Sequence, residues 1–239
     1  MELTNKIAII TGGTKGIGLG IAQAMLAAGM KVMITGRSNE SLSSVISHLQ
    51  AQYPGNIIGR QANVINLDEM HAAVNEVNEN WGPLDIVIAN AGVGHFASIE
   101  ELTPEQWHEV IDVNLTGVFN TVKATVENLK TTRGYLMTIA SLAGTNFFAR
   151  GAAYNASKFG LVGFTQAIML DLRHYDIKCT TIMPGSVATH FNNHRPSEAD
   201  HWKIQPEDIG QMVIDLLRMP ARTLPSKVEI RPSKPPSSN

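Results

Sequence analysis

Short apolar runs alternate with longer amphipathic ones from one end of this chain to the other, and that alternation constrains the fold more than any other feature. The strand candidates are KIAIIT (6–11), KVMITG (31–36), NIIGRQANV (56–64), LDIVIANAG (84–92), GYLMTIAS (134–141), KCTTIMPG (178–185) and KVEIRP (227–232). Helical periodicity occupies 17–28, 39–52, 67–80, 104–130, 151–175 and 206–218. Strand–helix–strand repetition predicts a parallel sheet with helices on both faces. Strands covered on both faces should be continuously apolar, as most of these are. The punctuation agrees. Gly29 closes a helix just before a strand. Thr103, Pro104 and Gln106 form an N-cap, a proline at the first helical position and a polar third residue, and Pro206 opens the last helix in the same way. The sequence therefore predicts one doubly wound α/β domain over 1–232, a seven-stranded parallel sheet, and a Pro/Ser-rich tail over 233–239. The segment 186–205 lacks periodicity, and a loop that long in a compact domain is usually functional.

Composition narrows the function. The 239 residues are 44% hydrophobic and 17% charged, enough to bury a sizeable core. A net charge of −2 excludes the basic excess of an electrostatic nucleic-acid binder. Cys179 is the single cysteine, so no internal disulfide can form; within KCTTIM it is expected to be a buried, inert thiol. No stretch approaches a membrane span, and MELTNKIAII lacks a secretory pattern, so a cytoplasmic protein without membrane partners is expected.

TGGTKGIG (11–18) follows the first strand and opens the first helix. A glycine turn there exposes backbone N–H groups at the positive end of a helix dipole, which suits a pyrophosphate. The spacing is Gly12-x-x-x-Gly16-x-Gly18, not G-x-G-x-x-G, and a turn that packs a helix tightly on its strand is the alternative. At the end of the second strand stands Arg37, where NAD-preferring proteins usually place an acid for the ribose 2′-hydroxyl. With Lys15 it favours the extra phosphate of NADP(H); two solvated surface cations are the bland alternative.

Tyr154 and Lys158, in YNASK, lie i, i+4 on a predicted helix and share one face. An ammonium beside a phenol should ease its deprotonation and make a general acid/base; an ordinary surface pair is the alternative. Ser141 ends the fifth strand candidate, at the sheet edge where ligands bind in such folds. Asn114 lies inside the 104–130 helix, where asparagine is disfavoured unless it serves a water or a carbonyl.

TGGTKGIG, NAG (90–92), Asn114, Ser141, YNASK and PGSVAT (184–189) together resemble the short-chain dehydrogenase/reductase family, in order and approximate spacing over nearly the whole chain. The resemblance implies a single Rossmann domain. It also implies roles. Tyr154 would be the general acid in ketone reduction, and Lys158 would lower its pKa and bind the nicotinamide ribose. Ser141 would hydrogen-bond the substrate carbonyl, and Asn114 would hold a water linking Lys158 to solvent. Gly12, Thr14, Lys15, Gly16, Ile17, Gly18, Arg37, Asn63, Val64, Asn90, Ala91 and Gly92 would bind the cofactor, with Pro184, Gly185, Val187 and Thr189 along the nicotinamide. Asn63 stands where the family often has aspartate, and the ending KVEIRPSKPPSSN departs from the longer glycine-rich segment of many members. A homodimer or homotetramer is implied by resemblance only.

His190 and His194 have metal-compatible spacing if helical, but no third ligand is evident, so no metal is expected. His95, Phe96, Phe147, Phe148, Phe191 and Trp202 flank the motif segments and could wall an apolar substrate pocket. The expectation is an NADPH-dependent reductase of a small carbonyl, or alcohol dehydrogenase in reverse, with a 3-oxoacyl or broad-range ketone substrate. A non-catalytic NADP(H)-sensing module is the alternative; a serine hydrolase is disfavoured because G-x-S-x-G is absent.

Overall fold

The structure, a computed structural model, describes residues 2–234; most of the expected tail, 235–239, lies outside the described residues. Seven strands, β1 (Ile7–Thr11), β2 (Lys31–Gly36), β3 (Ile57–Gln61), β4 (Ile86–Ala89), β5 (Tyr135–Ile139), β6 (Lys178–Pro184) and β7 (Lys227–Ile230), form one sheet in the order β3-β2-β1-β4-β5-β6-β7. Every pairing is parallel, with Ile9 opposite both Met33 and Val87. The helices are α1 (Gly16–Ala27), α2 (Asn39–Gln52), α3 (Leu67–Asn80), α4 (Pro104–Ile111), α5 (Gly117–Thr132), α6 (Ala152–Leu172) and α7 (Pro206–Arg218). The expected Rossmann architecture is what the chain adopts.

Successive strand residues point to opposite faces, so each strand feeds two cores. Ile10, Ile34, Ile88 and Met137 pack with Met25 of α1, Leu49 of α2 and Val213 of α7. Ile9, Met33, Val87 and Leu136 pack with Met70 of α3, Val122 of α5 and Leu161 of α6. Each such side chain, fully buried, contributes roughly 1.5–3 kcal/mol. Cys179 is buried in β6 among the second set, as expected, and burial pushes its thiol up to about 12. Helices α1 and α7 meet backbone to backbone: a Cβ on Gly20 would lie 2.5 Å from the Pro206 carbonyl oxygen, and one on Gly210 would lie 2.6 Å from that of Gly20.

Capping follows the sequence. Thr103 and Gln106 make reciprocal hydrogen bonds at the start of α4, and at the start of α7 the Asp208 carboxylate accepts from the Gln205 N–H. Gly29, at φ +79°, ends α1.

Several boundaries differ from expectation. The strands at 56–64 and 84–92 stop at Gln61 and Ala89, because their last residues leave the sheet to floor a cleft at its carboxyl edge. The helix expected over 104–130 is α4 and α5 joined by a π-helical turn, Asp112–Thr116, centred on Asn114. The helix expected over 151–175 ends at Leu172 and finishes as a 3₁₀ turn, Arg173–Tyr175. Segment 186–205 holds only the 3₁₀ turns Phe191–Asn193 and Glu198–Asp200 and a bridge from Val187 to Ile204. No described helix is long and apolar enough to cross a membrane.

Candidate active site

The sheet order reverses direction between β1 and β4, and a cleft of about 1440 Å³ opens at the carboxyl ends of the strands there. That exceeds the roughly 300–1,000 Å³ of a single small-ligand pocket, so a dinucleotide and a substrate both fit.

The glycine turn forms one end. Gly12 (φ +66°) and Gly16 (φ +55°) adopt the left-handed region that other residues avoid. Helix α1 starts at Gly16 with no side-chain cap and no acid in its first turn, whereas Ser38, Asn66 and Thr103 cap α2, α3 and α4. Its N–H groups face the cleft unpartnered by side chains, which suits a phosphate. Lys15 and Arg37 line the same end and are exposed. These residues fit a nicotinamide dinucleotide.

Not every glycine serves that end. A Cβ on Gly18 would lie 2.4 Å from the Gly12 carbonyl oxygen and 2.5 Å from Asn90 Nδ2. Gly18 is buried and does not line the cleft, and it is glycine so that α1 can pack against the turn. The close-packing alternative is thus true of part of the motif.

Asn90 joins the two central strands. Its Nδ2 donates to the carbonyls of Thr11 (2.8 Å) and Gly12 (3.0 Å), while Thr11 Oγ1 accepts from the N–H groups of Asn90 and Ala91. Ala91, Gly92, Asn63 and Val64 line the cleft beside it, as do Thr14 and Ile17. Arg37 lies 3.7 Å from Glu109 of α4, which also holds His95 Nε2 at 2.7 Å. The His95 contact, foremost, keeps the Glu109 carboxyl below its ordinary range.

Helix α6 brings Tyr154 and Lys158 into the cleft opposite Ser141, at the end of β5. The Lys158 ammonium donates to the Ile139 carbonyl at 3.0 Å and lies 5.7 Å from the Tyr154 ring centre. Asn114 is fully buried beneath them and does not line the cleft. Its Oδ1 accepts from Val93 N–H at 2.8 Å, and its Nδ2 donates to the Val93 carbonyl at 2.9 Å and to Ser157 Oγ at 3.0 Å. The Asn114 Oδ1 and the Lys158 ammonium approach one side of Gly92: a Cβ built there would lie 3.4 and 3.7 Å from them.

Burial pushes Tyr154 up to about 12, and the Ser141 hydroxyl only partly offsets this. Burial also brings Lys158 down to about 8. Burial thus disfavours the charged form of both groups and opposes the expected pull of the amine on the phenol.

Pro184 ends β6, Gly185, Val187 and Thr189 continue along the cleft wall, and Thr189 reaches the glycine turn, where a Cβ on Gly16 would meet it at 3.2 Å. The histidine pair is not helical: Asn192, between them, sits at φ +52°, and His194 bonds Asp200 at 2.7 Å. Sequence reasoning missed two framework residues. Asn155, inside YNASK, donates to the carbonyls of Ala143 and Asn146, both at 2.8 Å, and so fixes the loop after β5. Asp200 gathers His194, Lys203 and the Ser197 N–H within 3.0 Å. The S-x-x-D pattern at 197–200 is a capping signal that could have found the second.

A doubly wound sheet with its cleft at the strand reversal defines a Rossmann-type protein, and comparison with known proteins narrows the class. The short chain dehydrogenase family profile matches residues 6–200. An uncharacterized oxidoreductase of Staphylococcus saprophyticus is 30% identical over 97% of this chain and 99% of its own length. Among solved structures, the alcohol dehydrogenase of the archaeon Thermococcus sibiricus, complexed with 5-hydroxy-NADP, matches with a TM-score of 0.91 and 28% identity, covering 98% of this chain and 99% of that one. A variant of actinorhodin polyketide ketoreductase, solved with NADPH, matches with a TM-score of 0.85 and 29% identity, covering 95% and 96%. The chain belongs to the short-chain dehydrogenase/reductase family of oxidoreductases.

Proposed function

We propose that this protein is an NADP(H)-dependent reductase of small ketones or aldehydes, able to run as an alcohol dehydrogenase in reverse. The observation that carries the reading is the convergence of Ser141, Tyr154 and Lys158 in one cleft with the uncapped start of α1 and Arg37. The NADPH-bound and 5-hydroxy-NADP-bound relatives support the choice of cofactor, and the ketoreductase supports the reaction.

The bound nicotinamide would supply a hydride to the carbonyl carbon. Ser141 Oγ would donate a hydrogen bond to the carbonyl oxygen and fix its position. As the C=O π bond breaks, the Tyr154 hydroxyl would give its proton to that oxygen, leaving a phenolate and an alcohol. Lys158 would hold the cofactor ribose and stabilise the phenolate. Asn114 Oδ1 has one lone pair left after its bond to Val93, enough to accept from a water that resupplies the proton. Gly12, Thr14, Lys15, Gly16 and Ile17 would hold the pyrophosphate end. Arg37 would take the 2′-phosphate, with Asn63, Val64, Asn90, Ala91 and Gly92 along the adenosine half. Pro184, Gly185, Val187 and Thr189 would flank the nicotinamide.

Replacing Tyr154 by Phe tests the assignment. Turnover of a ketone should fall about 10³-fold while NADPH binding, followed by fluorescence, stays within twofold. Persistent turnover would remove the assigned acid. Self-association is part of the same reading: α5 and α6 leave Phe119 and Phe159 exposed, beside a groove lined by Leu115, Gly160 and Phe164. Light scattering should report a dimer or tetramer.

A further inference from the structure

We infer that the carbonyl substrate carries a flat aryl or conjugated group directly on the reacting carbon; this rests on the reductase reading and names its substrate class. The Tyr154 ring is boxed by other rings. Phe96 meets it edge-on, centre to centre 5.4 Å at 77°, and Phe191 lies at 5.6 Å and 55°. Phe96 in turn contacts Phe191 at 6.3 Å and Phe148 at 5.8 Å. The three phenylalanines come from three separate segments, after β4, β5 and β6, and all line the cleft.

These rings are seated, not scattered. A Cβ on Gly94 would lie 2.7 Å from Phe191 Cζ, and one on Gly151 would lie 2.6 Å from Phe148 Cε2. Both glycines thus leave hollows that the rings fill. The segments behind the rings are pinned as well. Asn155 Oδ1 accepts from the Phe148 N–H at 3.4 Å while its amide holds the preceding turn. Asp200 ties His194, three residues beyond Phe191, to Lys203.

Because the Tyr154 hydroxyl must reach the carbonyl oxygen, whatever hangs on the carbonyl carbon lies against Phe96 and Phe191. Phenyl faces and edges reward another π-system in offset or edge-on contact. Phe148 is 47% exposed at the mouth, apolar surface that a flat ligand would cover. The cations lining this end, Lys203 and Arg231, already have acidic partners, Asp200 at 2.6 Å and Glu229 at 2.9 Å. An anionic substrate would have to displace them.

The experiment compares kcat/KM for acetophenone and cyclohexyl methyl ketone, which share a skeleton and differ in aromaticity. Intrinsic reactivity cancels when the aryl-to-cyclohexyl ratio is read in wild type and again in Phe96→Leu and Phe191→Leu. Each substitution should lower the ratio severalfold, and the pair together about tenfold, while Phe96→Tyr should preserve it. NADPH binding by fluorescence verifies that the variants are folded. An unchanged ratio would overturn the aryl inference and leave the reductase reading standing. Reduction of neither ketone, nor of any aliphatic ketone or aldehyde in a parallel panel, would overturn both.

Discussion

The two ends of the cleft are built by different means. At the cofactor end, backbone does the shaping: left-handed glycines at 12 and 16, the uncapped start of α1, and Asn90 bonded to main-chain carbonyls of β1 and the turn. At the substrate end, side chains on three loops make the walls, and two polar hubs, Asn155 and Asp200, hold the loops after β5 and β6 in place. A backbone-built end tolerates few sequences and so announces itself in a motif. A side-chain-built end can change its lining while keeping its hubs, which is how one fold serves many substrates.

Lys158 sits at the seam, and its loss should have the largest effect on stability. Its pKa is depressed to about 8 from 10.5, so its favourable contribution is present above 10.5 and lost as pH falls through 8. Lys158→Met should therefore stabilise the fold at pH 7 by on the order of 2 kcal/mol, read as a higher melting temperature, and flatten the rise in wild-type stability between pH 8 and 10. Tyr154, raised to about 12, acts only above that window, where its stabilisation is lost between 10 and 12. Melts that rise alike from pH 8 to 10 in both proteins would show that the amine is not buried as described.

At the cofactor end alone, Arg37→Asp should weaken NADPH binding by about 30-fold and leave NADH binding near normal, measured by calorimetry. Equal losses for both cofactors would break the assignment of Arg37 to the 2′-phosphate.

At the substrate end alone, Asp200→Ala should raise the ketone KM about tenfold, by releasing the segment that carries Phe191, with NADPH affinity within twofold. The Asp200 carboxyl is held well below its usual range, foremost by Lys203 and then by His194, so the hub should persist down to pH 4 and fail only in stronger acid. A matching loss of NADPH affinity would show that the two ends are not independent.

The smallest effect concerns Glu109, whose pairing with Arg37 at 3.7 Å is exposed. A 2′-phosphate must compete with that carboxylate. Glu109→Gln should tighten NADPH binding two- to threefold, more at low salt, without altering NADH binding. Weakened NADPH binding would make Glu109 a positioning partner of Arg37.

Much of this was legible in residue patterns, and the contrast between the ends explains where legibility stopped. The strand runs, the caps at Thr103 and Pro206, and the turn at 11–18 are local signals, and the structure follows them. The division of the 104–130 helix was not legible, because Asn114 is stabilised by Val93 and Ser157, residues distant in the chain. The close contact of Gly18 with the Gly12 carbonyl and Asn90 is visible only in the tertiary packing. The elevated Tyr154 pKa was missed because spacing reports proximity to Lys158 but not loss of water. Phe96, Phe148 and Phe191 were noticed singly; only the tertiary fold shows that Gly94 and Gly151 make room for two of them.

The π-helical turn at Asp112–Thr116 has a consequence for the phase of the helix around it. A wide turn of this kind holds one residue more than an ordinary one, and each residue advances an α-helix by about 100°. Beyond it, α5 is therefore rotated relative to α4, so that Glu109 can look toward the cleft mouth while Val118 and Val122 still meet the sheet. One surplus amino acid, housed around a single asparagine, lets the two halves of this rod keep separate orientations without a loop between them.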